Sequence, residues 1–148
     1  MKFQIALLAA AGALLAATPA AANEGRAEVR GGIAWANGSE EAVAGAAVGY
    51  DFDLGTGAFA GIEASADKIL QGGADVVFGA TARAGAKLGS GKLFAAGGYS
   101  FGEGPDAWHL GGGYEHNISQ NVYLKAEYRH FFDAVDVNVV AAGVGVRF

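Results

Sequence analysis

The strongest constraint on this chain is a rhythm. After the first two dozen residues, strand-like runs of about ten residues recur eight times, each closed by turn chemistry. The runs are Ala27–Ala36, Val43–Phe52, Ala58–Ala66, Val76–Leu88, Lys92–Phe101, Ala107–His116, Val122–Phe132 and Val137–Phe148. Between them stand Asn37-Gly38-Ser39-Glu40-Glu41, Asp53-Leu54-Gly55-Thr56-Gly57, the Asp67–Asp75 segment, Gly89-Ser90-Gly91, Gly102-Glu103-Gly104-Pro105-Asp106, Asn117–Asn121 and Asp133–Asp136. Gly, Asn, Asp, Ser and Pro dominate these breaks because they supply positive φ, a preset φ or a side-chain bond to the turn backbone. An even number of short runs joined by short connections describes an antiparallel meander, and closing it removes both unpaired edges. About ten residues is also the length a tilted strand needs to cross a bilayer.

Within the runs, charge falls on one parity. In Val122–Phe132 the odd positions read Tyr123, Lys125, Glu127, Arg129, while the even ones read Val122, Leu124, Ala126, Tyr128. Val76–Leu88 places Thr81, Arg83 and Lys87 on odd positions, against Val76, Phe78, Ala80, Ala82, Ala84, Ala86 and Leu88 on even ones. The last run alternates Val140, Ala142, Val144, Val146, Phe148 with Ala141, Gly143, Gly145, Arg147. Successive strand side chains point to opposite faces, so each strand has an apolar face and a polar one. Carrying the parity around a barrel gives an inward set of Glu28, Asp51, Glu63, Glu115 and Glu127 against Arg30, Arg83, Lys87, Lys125, Arg129 and Arg147, five acids facing six bases. Eight strands enclose little room for bulk water, so charges confined there must pair. A soluble barrel alternates too, with its charges outside. Against it, the apolar face is largely alanine and glycine, which underfills a soluble core. Aromatic residues also gather toward run ends (Trp35, Phe52, Phe78, Phe101, Trp108, Phe132, Phe148), as interfacial girdles require. Phe59 and Phe94 break the pattern by falling on the polar parity. Alanine-rich stretches such as Ala80–Ala86 would suit a helix in isolation, but recurring glycine and missing caps oppose one.

The first 22 residues stand apart. Lys2 precedes the apolar run Ile5–Ala17, and Ala20-Ala21-Ala22 supplies small residues, the layout of a cleaved signal peptide with a mature domain at 23–148. Pro19 ends the apolar run before it reaches the length of a membrane-spanning helix. Removing Lys2 moves the net charge from −5 to −6, which disfavours a nucleic-acid partner. There is no cysteine, and glycine is 25 of 148 residues with only 2 prolines, so collagen and proline-rich disorder are excluded and tight sheet curvature is favoured.

Four segments carry a family resemblance: Val48-Gly49-Tyr50-Asp51-Phe52, Gly111-Gly112-Gly113-Tyr114-Glu115, Leu124-Lys125-Ala126-Glu127-Tyr128-Arg129 and the terminal Gly145-Val146-Arg147-Phe148. Together they make the chain resemble small outer-membrane β-barrel proteins of the OmpA/OmpX-like and opacity-protein-like surface antigen group, porin-like in architecture, over the whole of 23–148. The resemblance implies localisation in the outer membrane of a Gram-negative bacterium and contact with membrane lipid. It also implies assembly by periplasmic chaperones and the outer-membrane insertion machinery, with Phe148 as the assembly signal. Against that resemblance, no peptidoglycan-binding domain of the full OmpA type is expected in 23–148, and the connections are shorter than those of adhesive opacity-type relatives.

Enzymatic patterns are missing. Without cysteine, and with His109, His116 and His130 outside any HExxH spacing, no zinc motif exists, and no G-x-S-x-G elbow is present. Gly91-Lys92 lacks the other residues of a phosphate loop. His116 and Ser119 are the nearest candidates for a lipid hydrolase of the kind some similar barrels contain, and they fall in an expected turn. The expectation is therefore an all-β protein, a closed eight-stranded antiparallel up-and-down transmembrane β-barrel. It is read as a monomer with a polar, ion-paired, largely plugged interior, no catalytic residues, no cofactor and no metal. A narrow ion channel is the alternative, followed by a lipid-modifying hydrolase and a soluble periplasmic binding barrel. Asp53–Gly57, Gly89–Gly91 and Asn117–Asn121 are read as periplasmic, and the segments at 37–42, 67–75, 102–106 and 133–136 as external.

Overall fold

The computed structural model describes residues 23–71, 76–103 and 106–148. The expected leader at 1–22 and parts of the 67–75 and 102–106 connections lie outside the described residues. Among the described residues are eight strands: β1 (Glu24–Ala36), β2 (Ser39–Asp53), β3 (Ala58–Ile69), β4 (Val76–Leu88), β5 (Gly91–Gly102), β6 (Ala107–Asn117), β7 (Val122–Phe132) and β8 (Val137–Arg147). Each pairs antiparallel with its sequence neighbours, and β8 returns to β1 to close the barrel.

The registers fix the dimensions. A path across the paired residues runs Gly25, Tyr50, Ile62, Ala82, Gly97, Leu110, His130, Asn138, and re-enters β1 at Trp35, ten residues from its start. With ~3.3 Å per residue and ~4.8 Å between strands, that shear tilts the strands by roughly 40° and sets a radius of about 8 Å. Strands of 11 to 15 residues at that tilt form a wall about 25 to 35 Å tall. The closing seam is also bonded at its last residue: the Phe148 N–H donates to the Gly25 carbonyl at 3.0 Å and the Gly25 N–H to the Phe148 carbonyl at 2.9 Å.

The bounds of β4 and β7 agree with the sequence reading, and the first hairpin corrects it. The break expected at residues 37–41 is a two-residue turn, so Glu40 and Glu41 belong to β2 and Ala36 pairs with Ser39. Asn37 (φ 46°) and Gly38 (φ 80°) both take positive φ, the requirement of the type I′ turn that matches strand twist. β3 likewise continues to Ile69 because Val43 of β2 is there to pair with it.

The wall is apolar outside. Val29, Ile62, Leu110 and Trp108 are 60%, 59%, 59% and 66% exposed, and Ile33, Leu93, Leu124, Val140 and Val144 share that surface. Among the described residues no helix is long and apolar enough to cross a membrane, so any crossing falls to the strands. Trp35 with Tyr128, Phe78 with Phe101, and Tyr99 with Trp108 pack in pairs toward the end bearing the β1–β2 turn, while Tyr50 and Phe52 pack together toward the other end.

Candidate functional site

The inward positions hold the charge. Asp51, Glu63, Arg83, Glu115, Lys125, Glu127, Arg129 and Arg147 are odd-numbered residues of β2, β3, β4, β6, β7 and β8, while Glu28 and Arg30 are even-numbered residues of β1. All ten are buried. Because the chain reverses at every turn, side chains more than thirty residues apart meet across the lumen, and the bonds between them are cross-barrel bonds.

Arg83 binds two carboxylates. Its Nε donates to Asp51 Oδ1 at 3.0 Å and its Nη2 to Asp51 Oδ2 at 2.5 Å, while Nη1 bonds Glu115. Glu115 also accepts from Arg147 Nη2 at 2.8 Å. Glu63 draws three guanidinium groups, those of Arg26 (2.9 Å), Arg30 (3.1 Å) and Arg129 (2.7 Å). Glu28 accepts from Lys125 and from the Tyr123 hydroxyl, the latter at 2.7 Å. Glu127 lies 2.5 Å from Arg129 and 3.4 Å from Lys125. Lys87 behaves differently: its side chain is 35% exposed and its ion pair, at 2.6 Å, is with Asp53 at the rim.

Five charged residues outside the predicted set complete the arrangement. Arg26 is fully buried, bonded to Glu63 and 3.5 Å from Asp51. Lys92 bonds Glu24 and lies 3.0 Å from Asp51. Asp67 takes a two-pronged bond from Arg30 at 2.8 and 2.6 Å. With Asp53 and Glu24 included, the ion-paired network of the described residues, lumen and rim together, holds eight acids and eight bases. The predicted five against six is an undercount. Lys92 is the first residue of a predicted run, one further step of the same parity beyond a run end finds Arg26, Asp53 and Asp67, and a second step before β1 finds Glu24.

The inward aromatics have a physical reason. Phe59 and Phe94 are buried together, with the Arg83 guanidinium 5.2 and 5.0 Å from the two ring centroids and the Lys92 ammonium 4.9 Å from Phe59. Each ring face is a secondary partner for a desolvated cation. Glycines on neighbouring strands seat the large groups. A Cβ on Gly113 would stand 2.9 Å from the Phe94 ring, and one on Gly145 would stand 2.7 Å from Tyr123 Cε1.

The hydrolase candidates are not brought together. Ser119 Oγ accepts from the Val122 N–H at 3.2 Å within the β6–β7 turn, while His116 is exposed on β6 beside Tyr114. Among the described residues, no group of three metal-binding side chains exists.

Eight closed strands with an exposed hydrocarbon wall and a buried, ion-paired interior define an outer-membrane type of β-barrel. The chain belongs to the outer membrane protein beta-barrel domain family, whose model matches residues 6–148. It is similar in structure to the N-terminal β-barrel domain of Pseudomonas aeruginosa OprF, with a TM-score of 0.60 and 12% identity over 83% of this chain and 97% of that one. Ail, the attachment invasion locus protein of Yersinia pestis, is similar at a TM-score of 0.58 and 16% identity, over 86% and 99% of the two chains. Neisserial surface protein A is similar at 0.54 and 16%, over 85% and 97%. No curated protein sequence matches the chain. At these identities the likeness is one of fold, and with the family membership it assigns the chain to the outer membrane.

Proposed function

We propose that this chain is a monomeric structural and interaction barrel of the outer membrane, exported by residues 1–22 as a signal peptide and closed to solute by its interior ion pairs. The observation that carries this reading is the inverted polarity. Side chains such as Ile62 and Leu110 are exposed while Arg83 is 3% exposed, an arrangement that is stable in hydrocarbon and unfavourable in water. The plug follows from the same packing, because the buried acids and bases interlock across the inside of a barrel whose wall has a radius of about 8 Å, each cation held by a carboxylate reaching in from another strand. Membrane lipid is the surrounding partner. Phe148, packed at the seam over Gly25, is the assembly signal read by the insertion machinery after delivery by periplasmic chaperones. In the membrane, the turns at Leu54–Gly57, Gly89–Ser90 and Ile118–Asn121 face the periplasm and the opposite connections face outward. No catalytic role is assigned.

Two measurements test this. The mature protein should require detergent for solubility and migrate differently on a gel before and after boiling; recovery in the soluble fraction would refute membrane insertion. In planar bilayers near pH 7.5 it should carry no stable current, and a steady single-channel conductance there would refute the plug and establish the channel instead.

A further inference from the structure

Toward the end bearing the β1–β2 turn, the interior changes from ion pairs to hydroxyls around one imidazole. Ser65 of β3, Thr81 of β4, Ser100 of β5 and His109 of β6 are all inward and buried. His109 sits between two hydroxyls, with Nε2 2.9 Å from Thr81 Oγ1 and Nδ1 3.0 Å from Ser100 Oγ. Phe131 of β7 packs against its ring at 5.3 Å. The registers bring the group together: Gly79 pairs with Ser65 on one side and Ser100 on the other, and Thr81 follows on the same face. Ser65 is 7% exposed, and its Oγ has no hydrogen-bond partner among the described residues. That hydroxyl lies 2.6 Å from where a Cβ would stand on Gly79, on the same glycine that Ser100 flanks.

We propose that Ser65, Thr81, Ser100 and His109 form a proton-binding site that holds this end of the lumen closed while His109 is neutral and releases it when the ring is protonated. A neutral imidazole has one donor and one acceptor nitrogen, and a hydroxyl can take either part, so both observed bonds are satisfied in either tautomer. An imidazolium donates from both nitrogens. The hydroxyl that had been donating then loses its acceptor, and the interior gains a positive charge. The charged groups facing His109 are Arg129 and Glu127 of β7, Glu63 of β3 and Arg30 of β1. Beside it β4 and β5 present Thr81 and Ser100, and Arg83, further along β4, is held by Asp51 and Glu115. Both facing carboxylates are already taken, Glu63 by Arg26, Arg30 and Arg129, and Glu127 by Arg129 and Lys125. No countercharge is free among the described residues, so the imidazolium competes with Arg129 for Glu63 and Glu127 and loosens the ion pairs that close the lumen, and acid favours an arrangement in which the ring reaches water. The unpartnered Ser65 hydroxyl is the position at which a water enters to carry the proton, since buried hydroxyls take a water when no protein group serves.

The inference rests on the closed-lumen reading, and bilayer recordings separate the two. Current already present near pH 7.5 would defeat the closed lumen. A barrel closed at that pH should open on acidification to about pH 5. With a ring of ordinary pKa ~6.5 in the opened form and a closed form that excludes the proton, the open-to-closed ratio rises about thirtyfold. His109→Gln can bond on both sides but cannot be charged, and it should abolish the rise, whereas His116→Gln and His130→Gln should leave it intact. A wild-type barrel that stays closed at pH 5, or a His109→Gln barrel that opens like wild type, overturns the inference. NMR of the wild-type histidine rings gives the same test without a substitution: the His109 resonances must shift at the midpoint of opening, and a ring that does not titrate as the current rises also overturns it.

Discussion

Replacing Arg83 with methionine tests whether the interior charges are desolvated, because methionine fills much of the same space and removes only the charge and its bonds. Arg83 holds Asp51 by two bonds and Glu115 by a third, and its guanidinium lies against both Phe59 and Phe94. Stranding a buried carboxylate costs about 3–5 kcal/mol, whereas losing an exposed ion pair costs about 0–1. Neither acid is left entirely alone, since Asp51 keeps Lys92 at 3.0 Å and Glu115 keeps Arg147 at 2.8 Å. The expected loss is therefore near the lower end, about 3 kcal/mol. Urea unfolding in lipid vesicles, read by the fluorescence of Trp35 and Trp108, should show it as a midpoint lowered by about 1.5 M for a slope of about 2 kcal/mol/M.

The double variant Arg83→Met with Glu115→Gln restores the balance of interior charge. It should recover part of the loss, with a coupling of roughly 1–3 kcal/mol between the two sites. An Arg83→Met midpoint within about 0.3 M of wild type, with no coupling, would mean that water reaches these charges and would refute the argument from pairing.

Three further substitutions probe other layers. Leu110→Arg places a charge on the exposed wall and should destabilise the barrel by about 2–4 kcal/mol if that wall meets hydrocarbon at depth, while Leu54→Arg, in an equally exposed turn, should stay within about 0.5; equal effects in the same urea assay would argue that the wall is wet. Gly145→Ala drives a methyl group into the Tyr123 ring, which cannot retreat because it is fully buried with its hydroxyl on Glu28, and a loss of about 1–3 kcal/mol is expected; a neutral variant would show that the seat is not needed. Gly38→Ala forces a left-handed alanine into the β1–β2 turn and should cost about 1–2 kcal/mol, visible as a lowered thermal midpoint of the boiling-induced gel shift.

The sequence carried the strand count and the two faces because both depend on local alternation, which each strand states for itself. It was ambiguous at strand ends, where turn residues and rim residues share the same polar chemistry. Glu40 and Glu41 read as turn yet pair with Trp35 and Ala34, and Arg26 and Lys92 fell just outside or at the first residue of a run yet point inward. The partners were not legible at all. Arg83 meets Glu115, and Lys125 meets Glu28, only because strands far apart in sequence face one another across a lumen whose width and shear are properties of the closed barrel. Phe59 and Phe94 looked like exceptions for the same reason, since the cation between them comes from β4.

The closed barrel also decides where net charge can reside. The eight acids and eight bases of the ion-paired lumen and its rim cancel, and among the other described residues the charges are Glu40, Glu41, Lys68, Glu103, Asp106, Asp133 and Asp136. All seven lie at the end bearing the β1–β2 turn, whereas Leu54–Gly57, Gly89–Ser90 and Ile118–Asn121 at the opposite end carry none. Each desolvated charge must be matched, where needed by a carboxylate reaching in from the rim such as Asp67 or Glu24, because an unmatched one costs several kcal/mol, while a rim residue meets water and can take either sign at little cost. The net negative charge of the described residues is therefore a property of one rim. It follows that a neutralising substitution such as Glu41→Gln changes the net charge by the same amount as Glu63→Gln, yet only the second leaves three guanidinium groups in the interior short of a carboxylate.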